Sequence, residues 1–444
     1  MAVTETGVFG DTPDGPPPTG LTPGQRLKAI LGGSAGNLVE WYDWSTYIFF
    51  TVYFASHFFP EGDQTAQLFK AAAVSAVGFL ARPLGAWLMG AYADRAGRRA
   101  ALTLSVAMMC AGSLIIACAP TYEVAGPLAP AILLAARILQ GLSVGGEYGA
   151  SATYLSEVAG AKRRGFWSSF QYVTLIAGSL TAQGMVVLLQ QVMPEADLKA
   201  WGWRIPFFIG ALLAVVVFWI RSGIHESQGF ENAKAEGANR GRTMLLFVNH
   251  PRETLMVMGL TAGGSLAYYV YTSYMQKFLI NTSGFSKATA SQIMQAALFC
   301  FMLMQPAFGW LSDRIGRKPL LLFAFTGGMI ATWPLLTAIA GTTNALAAFG
   351  LIMIALTFQS GYSAISGLFK AEMFPAHIRA LGVALPYAIA NSIFGGSAEA
   401  VALSFKTAGR ESNFYIYVTA ILAVGLLTVV LMPDTRRTSL IKED

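Results

Sequence analysis

A chain of 444 residues that is 54% hydrophobic and only 12% charged has too few ionisable side chains to cover itself in water, since soluble domains carry about 25% charged residues. The mean hydropathy of +0.51 agrees, and lipid is the solvent that the surplus apolar surface calls for. The net charge of +6 does not imply nucleic acid, because the basic residues fall in short clusters between apolar runs rather than on one face.

Residues 1–25 are rich in Pro, Gly, Thr and Asp. They lack a basic region leading into a short apolar core, so they read as a disordered tail and not as a signal peptide. Twelve apolar runs follow, each long enough to span a bilayer: 28–55, 67–91, 100–119, 128–153, 165–191, 203–222, 252–281, 288–311, 319–340, 345–369, 378–405 and 412–432. The fold class is therefore an all-α polytopic membrane protein. The polar stretch 223–251 separates a six-helix half, 26–222, from a second, 252–433, and a short tail, 434–444, closes the chain. Placing both termini in the cytoplasm puts most Lys and Arg on that side. Cys110, Cys118 and Cys300 lie inside apolar runs and the four histidines are scattered, so neither a disulfide frame nor a metal site is expected.

The halves repeat each other. GAYADRAGRRAAL (90–102) follows span 2 and GWLSDRIGRKPLL (309–321) follows span 8. Span 4 leads to Glu157 and Arg164, and span 10 to Glu372 and Arg379, seven residues apart in each case. Duplicated halves with a site between them are an alternating-access architecture. No nucleophile elbow, phosphate loop or metal constellation is present, so an enzyme or an ATP-driven machine is not expected.

A charge near the bilayer centre costs about 2.5–3.5 kcal/mol on insertion scales and needs a reason. Glu40, Asp43, Arg82, Arg137, Glu147 and Glu399 sit within the spans, and Lys277 sits nearer a span end. Glu40 and Asp43 are three residues apart and share a helix face, extended by Asn37 and Tyr47. Span 4 offers Arg137 as counter-charge. Glu147 lies in GGEYG, where small residues allow close helix approach. Arg82, followed by Pro83, is suited to holding a carboxylate in a dry cavity. Lys277 is a second cation in the other half, although a snorkelling lysine would look the same. Tyr271 and Tyr274, with Tyr268, fall at three-residue spacing beside it. Gln171, Asn391 and Gln305 are polar amides inside spans.

The whole chain resembles the major facilitator superfamily, through the two D-R-x-G-R-[RK] loops and Arg137-Ile138-Leu139-Gln140-Gly141. NLVEWYDW (37–44), FLARPLG (79–85), GLSVGGEYGA (141–150) and WGWRIPF (201–207) resemble its metabolite:proton symporter family. ASATYLSEVA, SSFQYVTLI, YMQKFL, and KAEMFPAHIRALGVAL through NSIFGGSAEAVALS resemble that family's bacterial 2-oxoglutarate (alpha-ketoglutarate) permeases. The resemblance implies a cofactor-free, monomeric carrier in the bacterial cytoplasmic (inner) membrane, driven by the proton gradient, whose partners are a small carboxylate, protons and lipid. Citrate, shikimate, and betaine or proline are the alternative cargoes, and a solute-sensing receptor is the alternative of another class. It implies a proton site at Asp43 or Glu40, tuned by Arg137, with Glu147 close by. It implies a substrate contact at Gln171, which joins those that the buried polar residues themselves suggest: Arg82, Lys277, Tyr271, Tyr274 and Asn391. It also implies a cytoplasmic gate built from Asp94, Arg95, Arg98, Glu157 and Arg164 in the first half, and Asp313, Arg314, Arg317, Glu372 and Arg379 in the second.

Overall fold

In the computed structural model, the residues described are 23–222 without 97, 146, 147, 149–151, 153, 154 and 157–162, and 249–441 without 376, 377 and 437. Over 23–35, 90–103 and 217–222, and at 380, the description is of backbone only. Among the described residues, twelve helical rods run through the molecule. The first half contains α1 (Pro23–Phe58), α2 (Gln64–Ala96), α3 (Arg98–Cys118), α4 (Leu128–Val144), α5 (Phe170–Val192, preceded by the short helix Arg164–Ser168) and α6 (Ile205–Ser222). The second contains α7 (Pro251–Tyr269, continued through a π-turn at Val270–Tyr274 to Met275–Asn281), α8 (Lys287–Ile315) and α9 (Arg317–Gly341). It ends with α10 (Ala345–Ser363, continued by Ser366–Glu372), α11 (Arg379–Ala390, a π-turn at Asn391–Gly395, then Ala398–Thr407) and α12 (Glu411–Leu431).

Seven described helices are long and apolar enough to cross a membrane, and three shorter ones are apolar over part of their length. The helix ends follow local chemistry. Ser286 caps α8 by accepting from the Thr289 amide, and Asn344 caps α10 by accepting from the amides of Leu346 and Ala347. Gly316 makes the turn between α8 and α9 at φ +101°, a backbone region that essentially only glycine enters without strain. This explains the glycine in the second copy of the duplicated loop.

Packing repeats between the halves. Within the first, α1 packs on α5, α2 on α4, and α3 on α6; within the second, α7 packs on α11, α8 on α10, and α9 on α12. Across the divide α2 meets α11 and α5 meets α8, the same pair exchanged between halves. Glycines let backbones touch: a methyl at Gly141 would fall on the Gly78 carbonyl, and one at Gly145 on the Arg82 carbonyl. Leu80, Trp87, Leu212, Leu303, Ile330 and Leu427 point outward as an apolar belt, whereas Glu40, Asp43, Arg82, Arg137 and Lys277 inside the spans are buried.

Candidate functional site

Four described cations lie inside the bundle, and each has a distinct environment. Arg137 is fully buried on α4. Its guanidinium stacks 3.6 Å from the Trp44 ring centroid and 4.3 Å from that of Tyr47. It meets Asp43 through an amide. Arg137 Nη1 donates to Gln140 Oε1 at 2.8 Å, and Gln140 Nε2 donates to Asp43 Oδ2 at 2.5 Å. Ser113 donates to the other carboxylate oxygen, and Arg137 Nη2 donates to Ser75 Oγ at 3.2 Å. Gly210 of α6 makes room for the carboxylate, since a Cβ there would lie 2.8 Å from Asp43 Oδ1. The expected acid–base pair is thus brought together by Gln140, a residue of the span-4 signature that charge counting passes over.

Glu40 is also buried, but Asn37 and Asp43 do not share a face. The Asn37 amide donates to Gln171 O and Thr174 Oγ1 on α5, whereas Asp43 points to α3, α4 and α6. Each three-residue step falls about 60° short of a full turn at 3.6 residues per turn. Two such steps carry Asp43 round to different neighbours.

Arg82 lies at the divide, 4% exposed. Its guanidinium sits 4.0 Å from the Phe79 centroid, 4.1 Å from that of Trp44 and 5.6 Å from that of Trp41. From the second half, the Tyr269 hydroxyl and the Asn391 amide adjoin it. Arg82 Nε, the Tyr269 hydroxyl and both polar atoms of Asn391 are buried side by side, and none makes a hydrogen bond of normal length and angle. Such groups are rare in folded proteins and costly to leave unmade. Asn391 opens the π-turn of α11, which widens the helix toward α2, and Ser392 of the same turn donates to Phe79 O at 2.6 Å. A cavity beside this cluster is lined by Ser75 and Phe79 from the first half and by Tyr269, Ser273 and Glu399 from the second.

Lys277 is not a snorkelling lysine. It is 1% exposed, and its Nζ lies 2.7 Å from Glu399 Oε1 in a buried ion pair at the edge of that cavity. Its charge is therefore already matched. Tyr271 and Tyr274 find their partners within the second half. The Tyr271 hydroxyl donates to Thr332 on α9, and Tyr274 packs on Phe278 and Phe414. Both face the interior of the second half. The π-turn at Val270–Tyr274 adds a residue to the turn and breaks the three-residue register with Tyr268. Tyr268 and Tyr269 are the tyrosines of α7 that reach the divide; Tyr268 meets Tyr172 of α5 edge-on. The doublet Tyr268-Tyr269 was the available signal for them. Gln171 is buried between halves, with its amide nitrogen 3.4 Å from Tyr148 O and its oxygen crowding Gly367. Gln305 bonds Ser360 and Ser363 inside the second half.

Lys370, the fourth cation, is fully buried on the short continuation of α10. Its Nζ donates to Ser366 Oγ at 2.8 Å, Tyr148 OH at 3.3 Å and Tyr362 OH at 3.5 Å, and it lies 4.3 Å from the Tyr387 ring centroid. Tyr148 and Tyr387 stack across the divide with centroids 3.6 Å apart.

The duplicated loops lie at one end of the bundle. There the Asp313 carboxylate accepts from the backbone amides of Gly165 at 2.7 Å and Phe166 at 2.9 Å, tying α8 to the start of α5. Arg317 bridges Asp313 at 3.1 Å and Glu372 at 3.3 Å. Glu372 also accepts from Thr435 at 2.6 Å, so the C-terminal segment joins this cluster. Arg379 donates to the carbonyls of Ala371, Phe374 and Leu440, and it is Arg317 that Glu372 engages. Arg314 is exposed and stacks 3.9 Å from the Trp310 centroid of its own helix. Arg164 is buried at the same end. Glu147 and Glu157, and the side chains of Asp94, Arg95 and Arg98, lie outside the described residues. At the opposite end Lys287 and Glu195 pair across the halves at 2.6 Å, and Gln190 donates to Ser291 at 3.2 Å. Lys287, hydrogen-bonded to it, holds the Glu195 carboxyl below the usual carboxylate range. Contacts between the halves thus tie them together at both ends of the bundle.

The profile of the sugar (and other) transporter family matches residues 29–245 and again 228–444. The chain belongs to that family. It is 53% identical over 410 residues to the alpha-ketoglutarate permease of Escherichia coli K12, covering 92% of this chain and 94% of the relative. It is 31% identical to the citrate-proton symporter of Klebsiella pneumoniae, covering 84% of each. A solved structure of the xylose transporter XylE from E. coli, in a partially occluded inward-open conformation, superposes with a TM-score of 0.73 at 19% identity, covering 93% of this chain and 98% of that one. The fold is the major facilitator fold. The family member described here is a membrane transporter, and its relatives are carriers rather than enzymes.

Proposed function

We propose that this transporter imports a dicarboxylate, 2-oxoglutarate first among them, together with protons, by alternating access across the bacterial cytoplasmic membrane with both termini inside. The observation that carries the reading is the Arg82 cluster. A buried guanidinium, a hydroxyl and an amide from both halves converge with unmade hydrogen bonds. Carboxylate oxygens accept such bonds and match the guanidinium charge. The relative at 53% identity is named for alpha-ketoglutarate, which supports this choice of cargo.

The energetics favour proton coupling. Each negative charge moved inward against an inside-negative potential costs about 2.3 kcal/mol per 100 mV, and two cost about 4.6 kcal/mol. Two co-imported protons cancel that charge, and the pH gradient then drives accumulation. Asp43 is the carrier we assign, held by Ser113 and Gln140 and tuned through Gln140 by Arg137. No cofactor enters this scheme. Uptake of labelled 2-oxoglutarate into proteoliposomes, with succinate, citrate, shikimate and proline betaine as competitors, tests it. Competition by C4–C5 dicarboxylates, and loss of uptake in Arg82→Ala, are expected. Uptake of a zwitterion or ring acid in place of 2-oxoglutarate would overturn the cargo.

A further inference from the structure

Resting on that reading, we propose that Lys370 is the second-half cation of the substrate site and takes the distal carboxylate of the dicarboxylate whose other carboxylate sits on Arg82. A dianion needs two positive contacts. Lys277 is neutralised by Glu399 at 2.7 Å, and Arg137 is linked to Asp43 through Gln140. Lys370 differs. Among the described residues no carboxylate pairs with it, and its partners are three hydroxyls and the face of Tyr387. Hydroxyls and a ring face solvate an ammonium but do not neutralise it. A buried charge without a counter-ion is expensive, and an arriving carboxylate supplies the missing charge.

The position fits. Tyr387 lies against Lys370 and stacks on Tyr148 of the first half with centroids 3.6 Å apart, so Lys370 stands at the divide, as Arg82 does. Arg82 belongs to α2 of the first half and Lys370 to the end of α10 in the second. A ligand holding both draws the halves together. Lys370 lies just past a break: Ala345–Ser363 ends at the turn Ala364–Ile365, and the short helix Ser366–Glu372 follows. Two residues beyond it, Glu372 bonds Arg317 in the charged cluster at the end of the bundle. Occupation of Lys370 therefore acts on the short segment that also carries a member of that cluster.

The test compares 2-oxoglutarate with 2-oxopentanoate, which keeps the 2-oxo acid end and replaces the distal carboxylate with a methyl. Binding is measured on the purified full-length protein, wild type and Lys370→Gln. Loss of one charge-assisted contact is expected to weaken 2-oxoglutarate about 10- to 100-fold and to leave 2-oxopentanoate within about twofold, so that the preference for the diacid collapses. Equal weakening of both ligands would make Lys370 a structural residue and overturn the proposal, as would no change for either. Should Lys370→Gln fail to fold, Lys370→Met, which keeps the length of the side chain, is read in the same way. Wild-type protein that binds no dicarboxylate would sink the cargo assignment together with this inference. Wild-type binding with unchanged variants would sink this inference alone.

Discussion

Asp43→Asn separates proton coupling from transport. The side chain keeps its size, and Gln140 Nε2, now 2.5 Å from the carboxylate, can still donate to the new carbonyl oxygen. The new amide must find an acceptor, and Ser113, which also donates to Met109 O at 3.1 Å, can turn to accept it. Two charge-assisted bonds become neutral ones, and Arg137 loses its relayed counter-charge while keeping Gln140 Oε1, Ser75 and the Trp44 face. Each charged bond is worth about 1 kcal/mol more than a neutral one, so the stability loss should be about 1–3 kcal/mol, small enough for the protein to fold. The functional loss is larger. One proton crossing a gradient of one pH unit contributes about 1.4 kcal/mol, and its removal lowers the steady accumulation ratio about tenfold. The assay pairs gradient-driven uptake with counterflow, in which labelled substrate exchanges without net proton movement. Asp43→Asn should retain counterflow and lose concentrative uptake, and Glu40→Gln in parallel distinguishes the two carboxylates. An Asp43→Asn protein that accumulates substrate to the wild-type ratio would refute the reasoning.

Gly141→Ala drives a methyl onto the Gly78 carbonyl and must part α2 from α4; overpacking of this kind costs about 1–3 kcal/mol, visible as a lower melting temperature in detergent. Asp313→Ala removes the acceptor for the Gly165 and Phe166 amides, and a cysteine placed near Gly165 should then react faster with a thiol reagent added from that end. For Glu195, the depressed pKa means that the Lys287 pair contributes fully above the ordinary glutamate pKa, and that its contribution is lost as pH falls through the lower value in the closed state. Acid should thus favour opening at that end, and Glu195→Gln should abolish this pH dependence in thiol-accessibility measurements.

Fold and topology were legible because lipid imposes a coarse rule. A span needs a long apolar run, and the two D-R-x-G-R loops mark the repeat. The Arg82 position was legible for a related reason: a charge in a span must serve some purpose. The partners were not. Gln140 carries no charge, and it joins Arg137 to Asp43 only because both lie on its side of the first half. The π-turns at Val270–Tyr274 and Asn391–Gly395 have no signature in the apolar pattern. Yet they move Tyr271 and Tyr274 off the divide and set Asn391 beside Tyr269. Lys370 was hidden by its place near the end of a span, where a lysine ordinarily reads as a positive-inside anchor. Glu399 was visible as a buried charge, but its pairing with Lys277 joins α7 to the last segment of α11, and spacing along the chain does not reveal that contact.

The central claim, substrate moving inward with protons, is tested most directly by proteoliposomes loaded with a pH-sensitive dye, with no initial pH gradient and the potential clamped. The account predicts that adding 2-oxoglutarate outside acidifies the lumen in step with uptake of the label, and that Asp43→Asn removes the acidification. Uptake of 2-oxoglutarate with a lumenal pH that does not move would contradict it.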